Sequence, residues 1–260
     1  MKRVARRVLS LWLFATMCAA CAAADLTVDQ IKAAIARATS TTPADFAGKD
    51  LSDLDLSGLD CRRANLRGAS LFASKLVEAD FREANLEGAN LNGSWLMGTD
   101  FTGANLARAS LLSVVVLGGT VKKMPVFRNA NLSGVKMIAD LPGADLAGAN
   151  FSRAMVGVNI KNQGMGQMRT DLSNASLAGA TLAGADFNRS LMNFCDLRGA
   201  NLRGANFFRV KLVGADLSGA DVTGADFTEA DLNATVLRGA VGLAEAKGLD
   251  KAENADQIVR

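Results

Sequence analysis

The chain has no histidine and no tyrosine. That removes the commonest general base, the commonest transition-metal ligand and any Ser-His-Asp arrangement. Acid–base chemistry would fall to carboxylates, lysines or cysteines. Asp186, Asp196, Asp216, Asp221, Asp226 and Asp231 are the most concentrated candidates. Asp196 and Asp216 lie four pentads apart, and stacking on one face would make them a carboxylate pair for catalysis or for calcium. Their regular recurrence favours another role. An Asp or Asn that bonds local backbone at each corner of a repeating coil predicts the repetition itself. No catalytic residue, cofactor site or metal site is assigned on this reading.

Those aspartates belong to a stretch, Asp171–Leu237, with a period of five. From Leu172 to Leu237 every fifth residue is large and apolar, 14 positions without a miss. Two residues earlier stands Ala in nine of the 14, and one residue earlier Asp or Asn in nine. The consensus is Ala-(Asp/Asn)-(Leu/Phe)-x-Gly. A strand repeats every two residues and a helix every 3.6, so neither buries every fifth residue alone. A coil with one short side per pentad does, and such coils bury their apolar faces only by stacking. Phe187, Phe207 and Phe227 are spaced by four pentads, as are Phe81 and Phe101. Four sides of one pentad each per turn would stack these rings in one internal column. The small residue would also point inward, and Gly suits the tight corner.

The pentads resemble those of the pentapeptide-repeat family, A(D/N)LXX. Matching runs are Ala64-Asn65-Leu66-Arg67-Gly68, Ala84-Asn85-Leu86-Glu87-Gly88, Ala200-Asn201-Leu202-Arg203-Gly204 and Ala225-Asp226-Phe227-Thr228-Glu229. The resemblance covers roughly residues 44–240. It implies an all-β fold, a right-handed quadrilateral β-helix, and no particular activity.

Residues 1–24 read as an export signal. Lys2, Arg3, Arg6 and Arg7 precede the apolar Val8–Ala20, and Ala22-Ala23-Ala24 supplies a small-residue cleavage pattern before Asp25. Cys21 after Ala19-Ala20 offers a lipoprotein alternative, with Cys18 standing where Leu is usual. The address is periplasmic or secreted, with no membrane span in the mature chain. The full chain carries 29 basic and 26 acidic residues; the signal holds four basic and no acidic ones, which leaves 25 against 26. The basicity belongs to the signal, so a nucleic-acid partner is not supported.

Thr27–Ala38 reads as a helix, with Thr27 and Gln30 as a capping box and Val28, Ile31, Ile35 and Ala38 on one face. Residues 25–43 would cap the open end of the solenoid and lead into the repeats. The first block has 16 apolar positions from Phe46 to Val121. Lys122-Lys123-Met124-Pro125 then inserts one residue, Phe127, Leu132 and Met137 continue in the shifted phase, and the register returns at Leu141. A second break spans Gly157–Thr170. The repeats thus form one solenoid over 44–240 with loops near 122–126 and 157–170. In 241–260 the pattern is lost, and Ala244–Lys247 and Ala255–Val259 read as short helical caps. Both inward cysteines, Cys61 and Cys195, lie nearly seven coils apart, about 30 Å at one strand spacing per coil. A disulfide needs Cα atoms within about 7 Å, so two buried free thiols are expected.

One outward feature is apolar. Val77, Trp95, Met97, Val115 and Leu117 flank stacked positions on one side of three coils, and Phe72 and Leu112 lie on the adjoining side. Such a patch marks a contact surface for a protein partner, or is covered by the N-terminal helix or the loop after Val121. The function read from these features is a non-enzymatic structural or interaction scaffold of the bacterial cell envelope. One alternative is the DNA-mimicking, topoisomerase-binding role of some family members, which needs an acidic face and a cytoplasmic address. A polysaccharide-acting β-helix enzyme is the other, and needs a carboxylate cluster outside the repeat logic. An incompletely capped end would allow a homodimer by end-to-end stacking. The intact mass of the protein from fractionated cells checks the first step: a soluble product beginning at Asp25 is expected, whereas an unprocessed cytoplasmic chain would overturn the export reading.

Overall fold

A computed structural model describes residues 24–116, 123–158 and 169–260. The repeats wind into a right-handed quadrilateral β-helix. Each side touches the coil below and the coil above through parallel bridges one full turn apart, such as Asn65 with Asn85 and Asp196 with Asp216.

The backbone N–H groups of a pentad explain the geometry, because each must find an acceptor. Asn65 N–H donates to the coil below, to Ala44 O at 2.8 Å. Leu66 and Gly68 N–H donate to the coil above, to Asn85 O at 2.7 Å and Glu87 O at 2.8 Å. Ala69 N–H closes the corner onto Leu66 O at 3.0 Å. Arg67 N–H alone points where no neighbouring coil can serve it, and the side chain of Asn65 accepts it at 3.3 Å. The corner also needs one residue in the left-handed region. Gly68 supplies it with φ 64°, and a Cβ there would meet nothing within 4 Å, so the dihedral alone selects glycine.

The two inward positions of each pentad form the core. Leu66, Leu86 and Leu106, with Ala64, Ala84 and Ala104, are all buried. The phenylalanines stack, but in two columns. Phe81, Phe101 and Phe127 lie on one side with centroids 5.5 and 5.1 Å apart. Phe187, Phe207 and Phe227 lie on another at 5.7 and 5.4 Å. The column changes because the chain from Phe127 to Phe187 completes ten sides where an unbroken count of fives would give twelve, the second insertion taking up the length of two.

Both insertions are longer than the pentad count reads. Val126 pairs with Asp100, so the first insertion adds a whole pentad plus one residue. A period of five registers only the remainder. The extra length lies before Lys123, whose carbonyl already accepts Gly98 N–H at 2.7 Å. Val121 lies outside the described residues, and 123–126 belong to the coil rather than to a loop. The next coil runs from Val126 to Asp145, one residue short, which restores the phase before Leu141. Asp171 pairs with Asp140, so the second insertion adds two pentads plus one residue. Gly157 and Val158 remain in the ladder, with N–H bonds to Asp186 O and Asn188 O.

The ends are closed differently. Helix α1 (Val28–Arg37) carries the expected capping box: Thr27 Oγ1 accepts Gln30 N–H, and Gln30 Oε1 accepts Thr27 N–H. Ile31 is buried in the core cluster, and Val28, Ile35 and Ala38 pack against it. At the other end the ladder is not lost. It continues through Val241, Lys247, Glu253 and Val259 at hexad spacing. The sequence there repeats as hexads, Ala240-Val241-Gly242-Leu243, Ala246-Lys247-Gly248-Leu249 and Ala252-Glu253-Asn254-Ala255. Gly242, Gly248 and Asn254 take positive φ directly after the ladder residue. Leu243, Leu249 and Ile258 then pack against the core. Ala244–Lys247 is accordingly not a helix but the end of a turn leading to the ladder residue Lys247, and the short helical pieces are 3₁₀ turns at Leu249–Lys251 and Ala255–Gln257.

Leu202 is fully buried in the second block. Leu202→Asp places an unpaired carboxylate in that column, and limited proteolysis should show new cleavage in the neighbouring coils while the first block stays protected.

Candidate interaction surfaces

The rod offers four faces, each defined by the residue one before the inward apolar side chain. The first face is an amide ladder. Asn65 Nδ2 donates to Asp45 at 2.9 Å, and Asn85, Asn105, Asn131 and Asn150 continue it, each donating to the rung below at 3.0–3.4 Å. Its polar groups satisfy one another.

The fourth face is an ion-pair ladder. Arg62 binds Asp60 at 2.5 Å and reaches Asp80 at 3.6 Å; Arg82 binds Asp80 and reaches Asp100 at 3.8 Å. Higher on the rod Arg198 binds Asp196 at 2.7 Å and reaches Asp216 at 4.0 Å. Asp196 and Asp216 thus stack as expected, and each also accepts the N–H two residues on, at 3.2 and 2.9 Å. The guanidinium of Arg198 and that N–H hold the Asp196 carboxyl below the usual carboxylate range. Arg198 and the backbone thus occupy the Asp196 carboxylate as a hydrogen-bond acceptor. A cavity of about 410 Å³ lies between the end of α1 and the base of this face. Arg62, Arg63 and Arg82 line it, and each already has a carboxylate partner.

Cys61 and Cys195 are buried free thiols. Burial pushes both thiols up to about 12. Cys195 Sγ donates to Leu172 O at 2.8 Å, so neither thiol is poised as a nucleophile.

The second and third faces carry the apolar residues. On the third, Lys75, Trp95 and Val115 occupy successive rungs where Asp or Asn would otherwise stand. Trp95 is 37% exposed with Lys75 Nζ 6.0 Å from its ring centroid. Phe72, on the adjoining second face, is 48% exposed. Val77, Leu112 and Val115 are half-buried. Met97 departs from the outward expectation: it is only 3% exposed, because the chain re-enters the ladder at Lys123 directly above it. Leu117 lies outside the described residues. The N-terminal helix packs on the end of the core and not on this patch. Sequence reasoning missed three side chains on the same two faces, Met155 and Phe194, exposed at 49% and 61%, and half-buried Phe208. Reading the repeats from Leu141 onward in four columns would have found them.

Among the described residues no group of three or more His, Cys, Asp or Glu is arranged to hold a metal ion, and no helix is long and apolar enough to cross a membrane.

The pentapeptide-repeat family model matches residues 44–71, 64–103, 74–112, 170–209 and 205–241, eight copies of the repeat and more than half of the chain. The chain belongs to the pentapeptide-repeat family. This pentapeptide-repeat protein is similar to the solved structure of HetL, a pentapeptide repeat protein involved in heterocyst differentiation regulation from the cyanobacterium Nostoc sp. strain PCC 7120. The two share 28% identity at a TM-score of 0.50, over 90% of this chain and 100% of HetL. It is also similar to full-length QnrB1, a plasmid-mediated fluoroquinolone resistance protein, at 19% identity and a TM-score of 0.42, over 82% of this chain and 92% of QnrB1. A thylakoid-lumen pentapeptide repeat protein of Arabidopsis thaliana shares 32% identity over 42% of this chain and 69% of its own, at a TM-score of 0.21. No curated protein matches.

The first face yields a titration test. Asp221 is held down to about 2, first by the Thr223 hydroxyl, then by the Thr223 N–H and by Arg203. A depressed carboxylate contributes stability that is present above its unfolded value, about 3.9, and is lost as pH falls toward 2. Thr223→Val should raise the Asp221 titration midpoint seen by carboxyl NMR and move its share of acid unfolding to higher pH. An unchanged midpoint would show that the hydroxyl does not govern it.

Proposed function

We propose that this pentapeptide-repeat protein is an exported, non-enzymatic scaffold of the bacterial cell envelope. It binds another protein along the edge between its second and third faces. The observation that carries the reading is the contrast between faces. The first face bonds to itself from Asp45 to Asn150 and the fourth through Asp60–Asp100 and Asp196–Asp216, whereas Phe72, Trp95, Met155 and Phe194, four of the five exposed large apolar side chains among the described residues, stand on the other two. Aromatic and methionine side chains on an otherwise polar surface are the residues that anchor protein contacts. Export is supported by the three-part layout of residues 1–24, and Cys21 gives a lipidated form as the variant of that address. Both ends carry their own apolar packing, from Ile31 and from Leu243, Leu249 and Ile258. We therefore place recognition on the side of the rod rather than in end-to-end pairing of two copies.

DNA mimicry is disfavoured by charge. A mimic presents unpaired negative charge, and the aspartates at 60, 80, 196 and 216 have arginine within 4.0 Å. Catalysis is disfavoured by the same pairing and by the lack of histidine.

Phe72→Glu and Trp95→Ala change side chains that the core does not use. Recovery of the partner on tagged full-length protein from cell-envelope fractions should fall about tenfold for either, with the melting temperature held within a few degrees. Undiminished recovery with both variants would remove this edge as the binding surface.

A further inference from the structure

Fifteen of the residues before an inward apolar side chain are aspartates, and 14 of them do the same job. Each accepts the N–H two residues on, from Asp45 with Ala47 N–H at 3.1 Å to Asp231 with Asn233 N–H at 3.3 Å. Asp140 is the exception. The residue two places on is Pro142, which has no N–H to give. The carboxylate of Asp140 is thereby released from the role that accounts for all the others.

It lines a cavity of about 370 Å³ at the edge between the second and third faces. Val114, Ile138, Ala139 and Leu191 supply the apolar wall, and Asp171 is the second carboxylate. Asp140 and Asp171 are paired rungs of one ladder, so their Cα atoms lie about 4.8 Å apart. Asp171 keeps its turn bond to Ser173 N–H at 2.8 Å. Desolvation by the cavity wall, followed by repulsion from Asp171, raises the Asp140 carboxyl above its ordinary value, although the residue as a whole is exposed. Two neighbouring carboxylates with a single turn bond between them leave negative charge uncompensated. Arg169 also lines the cavity, yet it makes no ion pair with either one among the described residues.

We propose that this cavity receives a lysine side chain of the protein partner, its methylenes against Val114, Ile138 and Leu191 and its ammonium between Asp140 and Asp171. The occupant follows from the shape of the chemistry. An apolar trough with carboxylates at its rim complements an aliphatic cation, and a methyl or a carboxylate would satisfy only one half. The trough is continuous with the apolar edge, since Ile138 is the ladder partner of Leu112. The proposal rests on that edge being the partner surface and adds what the partner must present there.

The test titrates N-acetyl-lysine methylamide into the full-length protein and follows backbone amide shifts at Ile138, Ala139 and Leu191, with N-acetyl-norleucine methylamide and sodium chloride as controls. Saturable shifts with the lysine probe alone are expected. Asp140→Asn should weaken them about tenfold while leaving the melting temperature equal or higher, because it relieves the repulsion with Asp171. Pro142→Ser restores the N–H found in Asp171-Leu172-Ser173, re-engages the carboxylate and should weaken binding likewise. Equal shifts with sodium chloride, or binding indifferent to both variants, would overturn the proposal. So would binding of n-butylammonium without binding of the lysine amide, which would assign the cavity to a free amine. Failure of the wider surface reading is seen separately, as undiminished partner recovery with Phe72→Glu and Trp95→Ala.

Discussion

The fold depends on one backbone N–H in each pentad. The others are satisfied by the coils above and below or by the corner, and the remaining one has no backbone acceptor within reach. A side-chain oxygen one residue before the inward apolar group is the shortest solution, and Asp or Asn supplies it. An N–H left without that oxygen would have only water to turn to at this outward corner, and the demand recurs along the rod. This is why Asp and Asn dominate the position, and why dense carboxylates here do not signal catalysis. The same carbonyl and carboxyl oxygens then acquire a second use. Once fixed by the turn, they stack rung on rung, as amides from Asp45 to Asn150 and as ion pairs with Arg62, Arg82 and Arg198 on the adjoining side.

Legibility follows from which features are periodic. The pentad, the capping box at Thr27 and the buried thiols were readable because each rests on local spacing. The lengths of the insertions were not, since one pentad plus one and two pentads plus one leave the same remainder when counted in fives. Only the bridges from Asp100 to Val126 and from Asp140 to Asp171 recover the whole length. The closing coil was missed for a related reason. Its period is six, so a search in fives sees disorder where Gly242, Gly248 and Asn254 mark a new regularity. On the candidate surface, Phe72 and Trp95 could be placed outward from register alone, but Met97 could not. Its burial is set by where the chain returns at Lys123, a long-range event with no local signature.

The places where the rule is relaxed are therefore the informative ones. A rod that needs an Asx side chain on every side gains nothing in stability from Lys75, Trp95 and Val115 on three successive rungs. Some relaxed sites borrow an acceptor: Leu112 N–H takes Asn92 Oδ1 at 2.9 Å and Val213 N–H takes Asn193 Oδ1 at 3.2 Å, each from the coil below. Borrowing shows that the demand persists when the local residue no longer meets it. Local rules broken in a fold that otherwise keeps them are where selection for something other than folding is to be sought.

Those departures are not scattered evenly. The first face keeps Asp or Asn without interruption from Asp45 to Asn150 and departs at 181, whereas the third replaces it at 75, 95, 115, 191 and 211, the second at 70, 110, 136 and 155, and the fourth at 126, 176 and 236. Asp140 is the complementary case, since there the acid stays and Pro142 removes the group it would serve. Either change has the same physical result. It uncouples the outward side chain from the architecture, so that an indole, an aliphatic chain or a carboxylate can be presented without a structural duty. The four-sided coil gives every face the same backbone, and what distinguishes a face is how far its side chains have been released from holding the backbone in place.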